Sequence, residues 1–189
     1  MYNETLALIV SFFAMVLIAM SYFVKNKNAY LVFQATGIVG LILSYVFTEK
    51  YFAVVGLTIG LARTLIYFAY EKKDKLAPVL VPIVVSFCTA GSYCIINLGI
   101  LKDSNIWDIL LLVGYVCYAF AFRIRNMKRL RYFMLIPTSF SLVYNIAVHA
   151  AIFTICAYVF ELGANLVSIF KFYIIPSIKS KGEKLYEKN

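Results

Sequence analysis

Charged residues are scarce in this chain, and acidic residues are scarcer than basic ones. Only 14% of the 189 residues are charged, with 9 Asp and Glu against 18 Lys and Arg. A typical soluble domain carries about 25% charged residues, so this chain lacks the polar surface that would coat a water-soluble globule. The deficit excludes a soluble enzyme or binding module and favours a protein surrounded by lipid.

Residues that carry metal or nucleophilic chemistry are also few. The chain has one His, and its four cysteines lie inside apolar runs without a CxxC or Cys/His spacing: Cys88, Cys94, Cys117 and Cys156. It contains no Ser/His/Asp grouping, no glycine-rich phosphate loop and no Walker motif. We therefore predict neither an enzyme nor an ATP-driven pump, with no metal and no cofactor. The cysteines are interpreted as small packing residues.

Long apolar stretches account for most of the sequence, 63% of which is hydrophobic. Apolar runs of about 18 or more residues predict membrane-spanning helices. The first run has no basic n-region and no cleavage site, which predicts a retained helix rather than a signal peptide. The fold is predicted to be an all-α membrane protein, a single domain with seven transmembrane helices, from runs at 4–24, 30–48, 51–70, 77–100, 105–122, 131–149 and 150–174.

Basic residues are distributed unevenly between these runs. With the N-terminus outside, all but three of the 18 Lys and Arg fall in inner loops or the C-terminal tail, the exceptions being Lys50, Lys102 and Arg63. The positive-inside rule then predicts an odd number of spans and a cytoplasmic C-terminus. The net charge of +9 is interpreted as topology and attraction to anionic lipid, not as a nucleic-acid interface.

Internal repetition divides the chain into two triplets of runs around one connecting run. A shift of 100 residues places Gly37 on Pro137, and a shift of 102 aligns 62–65 with 164–167. Parallel repeats about an axis along the membrane normal are found in transporters. We predict a 3+1+3 arrangement: a first three-helix repeat over residues 1–76, a linker helix at 77–101, a second repeat at 102–175 and a basic cytoplasmic tail at 176–189.

Arg63 lies near the middle of the third apolar run. A guanidinium at bilayer depth costs about 2.5 to 3.5 kcal/mol, so such residues usually face a cavity or a partner. Gly56, Gly60 and Tyr67 share its helical face, and small residues there are expected to let a neighbouring backbone approach closely. This face is therefore predicted to point into the bundle.

Two further runs carry polar residues that could meet Arg63. Glu161 and Asn165 are four residues apart on the seventh run and share a helical face. Glu161 lies about as deep as Arg63, so an ion pair between them is geometrically open. The sixth run adds Asn145. We predict that these four residues line a binding site, although a purely structural role in holding the helices together stays open.

Short motifs connect the chain to a known family: Gln34 after a basic loop, Ala62-Arg63-Thr64-Leu65, Leu142-Val143-Tyr144-Asn145-Ile146, and Asn165 in the closing helix. With these motifs the chain resembles the YgjV family of bacterial inner-membrane proteins over nearly its whole length. That family is similar to the SWEET sugar transporters and the PnuC vitamin-precursor transporters, which have a 3+1+3 plan.

In SWEET-type proteins asparagines on the third and seventh helices hold the substrate, and prolines on four helices act as hinges. The resemblance implies substrate binding by Asn165, with Arg63 near the partner position. Of the hinge prolines only Pro137 is present, with Gly37 at the equivalent position of the first repeat. These departures speak against a sugar as the substrate.

Together these features predict a small transporter or facilitator of a polar or anionic metabolite, working by alternating access and hinged at Gly37 and Pro137. Arg63 is expected to receive the anionic group, and Glu161 either to balance Arg63 or to bind a coupling proton. The alternative is a non-transporting scaffold, receptor or accessory subunit. The expected partners are lipid and a small-molecule substrate; a monomer could suffice because both repeats are present, and a homo-oligomer stays open.

Overall fold

Helices joined by short loops make up the residues that the computed structural model describes, which are 2–47, 51–95, 106–147 and 152–178. Seven α-helices lie in these ranges: α1 (Tyr2–Ser21), α2 (Lys27–Phe47), α3 (Tyr51–Lys72), α4 (Leu80–Tyr93), α5 (Asp108–Ala121), α6 (Met127–Ala147) and α7 (Ile152–Ile169). α7 continues into a π-helical segment, Phe170–Ile174. The prediction of an all-α protein with seven helices is confirmed for this part of the chain.

Three helical segments are long and apolar enough to cross a membrane: Lys27–Phe47, Val54–Lys72 and Ile155–Ile178. α1, α4 and α5 contribute shorter apolar segments. α6 spans 21 residues, but Lys128, Arg129 and Arg131 near its start lower its hydropathy. The predicted outer-loop residues Lys50 and Lys102, and most of the predicted basic tail, lie outside the described residues.

Helices that are consecutive in the chain pack against each other, and for comparison we call α1–α3 the first group and α5–α7 the second group. α2 contacts α1 and α3, α6 contacts α5 and α7, α4 contacts α3 and α5, and α1 contacts α7. α2 and α6 are both 21 residues long and begin at Lys27 and Met127. Buried residues recur at the same spacing: positions 14, 19, 21, 22, 30, 31, 34, 37 and 38 are buried, and so is each position 100 residues later. Equivalent faces of the two groups are therefore turned away from the surface.

Three loops meet at one end of the bundle, which we call the basic end: residues 22–26, 73–79 and 122–126. Arg123 Nε donates to the carbonyl oxygen of Ala77 at 3.0 Å, and Arg131 Nη2 donates to that of Val24 at 2.6 Å. Much of the apolar core lies beside these loops, including Tyr22, Tyr30, Leu31, Tyr67, Ala77, Phe122, Leu130 and Met134. The first and second groups of helices are thus joined by polar and apolar contacts here.

The end of α3 places a carboxylate at this junction. Lys75 N–H donates to the carbonyl of Tyr70 at 3.0 Å and Asp74 N–H to that of Glu71 at 3.0 Å, which is the pattern of a Schellman motif. Asp74 takes the left-handed position of that motif, with φ 53°, where glycine is more usual. Its carboxylate accepts a hydrogen bond from Arg125 on the loop between α5 and α6.

Close helix packing occurs at different glycines from those expected. A Cβ added to Gly56 would meet nothing within 4 Å, and one on Gly60 would meet only Arg63 Nη2 at 3.8 Å. The expectation that this pair draws a neighbouring backbone close is therefore wrong for the described residues. The close approach is between α1 and α2, because a Cβ on Gly37 would lie 2.5 Å from Ile18 Cγ1 and 3.0 Å from the carbonyl oxygen of Ala14.

The equivalent contact in the second group uses a glycine on the opposite helix. A Cβ on Gly40 of α2 would lie 2.9 Å from Ala14 Cβ on α1. One hundred residues later, Gly114 of α5 faces Phe140 Cβ of α6 at 3.5 Å and the Pro137 carbonyl at 3.6 Å. At the positions 14/40 and 114/140, each group therefore has a glycine on one of the two crossing helices, which permits close packing whichever helix supplies it.

This arrangement predicts that Gly40→Ala destabilises the protein and that Ala14→Gly restores much of the loss. Overpacking a tight contact costs about 1 to 3 kcal/mol, and the second change removes the methyl group that the first would strike. A double-mutant cycle on melting temperature in detergent should give a favourable coupling of about 1 kcal/mol. Simple additivity of the two single effects would contradict the packing described here.

Candidate functional site

Arg63 lies on α3 with its guanidinium against the rings of Tyr118, in the last turn of α5, and Phe122, just after α5. The guanidinium carbon is 4.5 Å from the centroid of the Phe122 ring and 5.7 Å from that of Tyr118. Only 9% of the residue is exposed. The prediction that Arg63 points into the bundle agrees with this burial, and cation–π attraction offsets part of the cost of desolvating its charge.

No described residue supplies a counter-ion for Arg63. Its Nε is buried without a hydrogen-bond partner, and the ion pairs found among the described residues join Lys27 or Arg125 to Glu71 and Asp74. Buried polar atoms usually have a partner. A cation with none among the described residues is therefore a candidate for binding an anionic group from outside the protein.

The similar depth of Arg63 and Glu161 in their runs made an ion pair between them geometrically possible, but the structure does not form it. Glu161 on α7 instead accepts a hydrogen bond at 2.7 Å from the hydroxyl of Tyr22, at the end of α1. The reason is rotational, because equal depth along two helices does not turn their side chains towards each other. The Glu161 carboxylate thus ties the first helix to the last.

A chain of aromatic rings lies between these two charged groups. The rings of Tyr22 and Tyr30 are 5.7 Å apart, those of Tyr30 and Phe122 are 5.9 Å apart, and Phe122 then contacts Arg63. The Tyr30 hydroxyl is buried and has no hydrogen-bond partner in the described residues. We call Tyr22, Tyr30, Tyr67 and Phe122 the aromatic cluster; it separates Arg63 from Glu161.

Asn165 of α7 is buried against the start of α6. Its Nδ2 donates to the backbone carbonyl of Arg131 at 2.9 Å, whereas its Oδ1 is buried without a partner in the described part of the chain. Ser168 Oγ donates to the Asn165 carbonyl at 2.7 Å. The amide is thus half satisfied: it holds α7 to α6 and keeps one acceptor free.

The other predicted residues lie elsewhere on the scaffold. Asn145 is buried, and its Nδ2 donates to the carbonyl of Ser141 on its own helix at 2.7 Å. It follows Arg131 by 14 positions, about 21 Å along α6 at a rise of 1.5 Å per residue, so it is not brought together with Asn165. Gly37 lies at the α1–α2 contact, and Pro137 is buried within α6.

Arg131 is a buried residue that the sequence did not mark as part of the site. It is 1% exposed, and its Nη1 donates to the Tyr173 hydroxyl at 2.6 Å while Nη2 donates to the Val24 carbonyl. Its guanidinium carbon lies 4.7 Å from the Phe172 ring centroid. One sequence feature could have indicated that Arg131 is buried: it lies 100 residues after Leu31, an apolar residue that is itself buried.

The described residues contain no group of three His, Cys, Asp or Glu side chains that could hold a metal ion. The site therefore consists of a buried cation on aromatic rings, a carboxylate tied to a tyrosine and a half-satisfied amide. Such a set can bind an anion and donate or accept hydrogen bonds.

Comparison with known proteins gives a family but no relative of known structure. The sequence model of the Imp-YgjV family, described as bacterial inner membrane protein, matches residues 5–174. No curated protein and no solved structure matches the chain significantly.

Proposed function

We propose a transport function for this chain, which belongs to the Imp-YgjV family of bacterial inner membrane proteins. It would move a small polar or anionic metabolite across that membrane by alternating access. The observation that carries the proposal is the Arg63 guanidinium, buried on aromatic rings without a counter-ion among the described residues. An unpaired charge at this depth is costly to retain, so a role in binding an anion accounts for its presence.

The space beside Arg63 on α3 supports binding of a ligand there. A Cβ added to Gly60, one turn before Arg63, would have only Arg63 Nη2 within 4 Å, so no other described side chain fills this position. α3 and α5 are joined here by long side chains, since Tyr67 donates from its hydroxyl to the Ala119 carbonyl at 2.8 Å and Arg63 reaches the Tyr118 ring. Because α3 and α5 are joined by side chains, the contact between them can rearrange around a ligand more readily than a contact between two closely packed backbones.

The remaining residues have separate roles in this proposal. Asn165 Oδ1, which lacks a partner in the described residues, would accept a hydrogen bond from a hydroxyl or amide of the ligand. Glu161 makes no ion pair with a described residue and hydrogen-bonds to Tyr22, so we assign it the coupling proton rather than charge balance. Asn145 would line the pathway farther from the basic end.

Alternating access requires two units that move against each other. We assign these units to the three-helix repeats at residues 1–76 and 102–175, joined by the α4 linker in a 3+1+3 arrangement; the repetition of buried positions at a spacing of 100 supports this assignment. Gly37 and Pro137 would be the hinges, because both lie where the first two helices of a repeat cross. The N-terminus would lie outside, with the basic end in the cytoplasm.

Hydrogen bonds and ion pairs at the basic end would close the cytoplasmic side of the pathway in this conformation. Arg125 bonds to Asp74 and lies 3.8 Å from Glu71, and Arg123 bonds to the Ala77 carbonyl. The hydrogen bond to Asp74 raises the pKa of Arg125, so Arg125 stays charged at neutral pH. Asp74 is 87% exposed, and exposed pairs contribute little stability, which suits a contact that must open in each cycle.

Uptake into proteoliposomes tests the proposal. The purified protein is reconstituted and offered radiolabelled acetate, lactate, succinate, inorganic phosphate and glucose at neutral and mildly acidic outside pH. We expect saturable uptake of at least one anion above protein-free liposomes, and none of glucose. Folded protein that transports none of these anions and is not thermally stabilised by any of them would favour a non-transporting scaffold or subunit.

A further inference from the structure

A groove on the outer surface of α6 combines cations with an apolar floor. It has a volume of about 700 Å³, and its lining includes Lys128, Arg129, Tyr132, Phe133 and Ile136. Lys128 and Arg129 are exposed, and neither forms an ion pair with a described residue. The groove therefore presents two unneutralised positive charges beside an apolar surface.

The start of α6 adds to the positive potential. Asn126 caps this helix, because its Oδ1 accepts the N–H groups of Lys128 at 2.9 Å and Arg129 at 3.2 Å. The N-terminal end of a helix carries a partial positive charge. An anionic group beside Lys128 and Arg129 would therefore meet both side-chain cations and the helix dipole.

An exposed apolar stripe continues from the cations along the same helix. Tyr132 is 43% and Ile136 is 44% exposed, and Val143 and Ile146 follow at helical spacing, also exposed. A tyrosine one turn after the cations and aliphatic residues farther along the helix match the depth profile of a lipid leaflet. The shape suits a molecule with an anionic head and a long apolar tail.

The first repeat offers an internal comparison. Asn26, 100 residues before Asn126, caps its helix in the same way, accepting the Asn28 N–H at 2.8 Å. The positions that correspond to Lys128, Arg129 and Tyr132 are Asn28, Ala29 and Val32. Helix capping therefore does not require the basic pair, and the charged groove belongs to the second repeat alone.

We infer that this groove binds an anionic phospholipid, with the phosphate on Lys128 and Arg129 and an acyl chain along Tyr132, Ile136 and Val143. The inference does not depend on the transport proposal. Juxtamembrane cations attract anionic lipids by about 1 kcal/mol each. The groove would thus select phosphatidylglycerol over a zwitterionic lipid of the same chain length.

Tryptophan quenching at two matched positions tests this inference. Tyr132→Trp places a fluorophore in the groove, and Val32→Trp places one at the equivalent, uncharged site of the first repeat. Each variant is reconstituted with dibrominated phosphatidylglycerol or dibrominated phosphatidylcholine, and the signal of Trp107 is subtracted using wild-type protein. We expect phosphatidylglycerol to be preferred about fivefold or more at position 132 and not at position 32.

Charge variants identify the source of any preference. Lys128→Gln with Arg129→Gln in the Tyr132→Trp protein should abolish the preference, whereas Lys72→Gln with Lys73→Gln, an equal loss of charge at the end of α3, should leave it intact. Equal preference at both tryptophan positions, equal loss with both charge pairs, or full competition by soluble glycerol 3-phosphate would overturn the inference. If the Lys128 and Arg129 variant does not fold, the comparison of positions 132 and 32 still decides.

Discussion

Replacing Arg63 by methionine is expected to raise the thermal stability of the protein while abolishing anion uptake. Burial of a guanidinium at bilayer depth costs about 2.5 to 3.5 kcal/mol. The contacts with Phe122 and Tyr118 return about 2 kcal/mol for a desolvated cation. Methionine fills similar space without the charge, so we expect a gain of about 1 kcal/mol.

The opposite directions of these effects make the result diagnostic. Stability is measured as melting temperature in detergent, and uptake by the proteoliposome assay with the anion that wild-type protein transports. Arg63→Lys is the control that keeps the charge; it should retain part of the uptake, because lysine keeps a positive charge but not the planar stacking of arginine. A fall in melting temperature with unchanged uptake in Arg63→Met would instead assign Arg63 a structural role.

The sequence predicted the helices well because each apolar run is long enough to be recognised as a helix from its hydropathy. The start of α6 was placed too late, at Arg131, because Lys128 and Arg129 made its first turn resemble a loop. The helix begins at Met127, where Asn126 caps it. In this segment the capping signal identifies the boundary better than hydropathy does.

The candidate site was only partly predictable, since a polar side chain in an apolar run predicts burial but not the partner. Arg63 and Asn165 are buried, but the tyrosine that holds Glu161 depends on helix rotation. The burial pattern also corrects the alignment of α3 with α7, for which the sequence suggested a shift of 102 residues. Arg63, Thr64 and Tyr67 are buried, and so are the residues 101 positions later, Ala164, Asn165 and Ser168. By burial, the counterpart of Asn165 is therefore Thr64 and not Arg63.

With this spacing of 101 residues, Arg63 corresponds to Ala164 and has no charged counterpart in the second group. Thr64 Oγ1 donates to the Gly60 carbonyl of its own helix at 2.8 Å, whereas Asn165 reaches across to α6. The third and seventh helices therefore share a pattern of buried positions but differ in the side chains placed there.

Arg131→Met, the matched counterpart of the Arg63 variant, is expected to destabilise the protein by about 3 kcal/mol. Both arginines are buried on aromatic rings, but Arg131 also donates to the Tyr173 hydroxyl and the Val24 carbonyl, both at 2.6 Å. Hydrogen bonds to charged groups contribute about 1.5 to 3 kcal/mol each. Their loss exceeds any gain from removing the charge, because these bonds hold the α1–α2 loop and the end of α7 to α6.

The comparison of the two methionine variants separates a buried cation with two hydrogen bonds from one that has no hydrogen bond to a described residue. In the same detergent, the melting temperature should fall for Arg131→Met and rise for Arg63→Met. Tyr173→Phe, which removes one acceptor and keeps the ring, should cost about 1 kcal/mol. Equal shifts for both arginine variants would mean that hydrogen bonding does not distinguish them, and the assignment of Arg63 to a ligand would lose its physical basis.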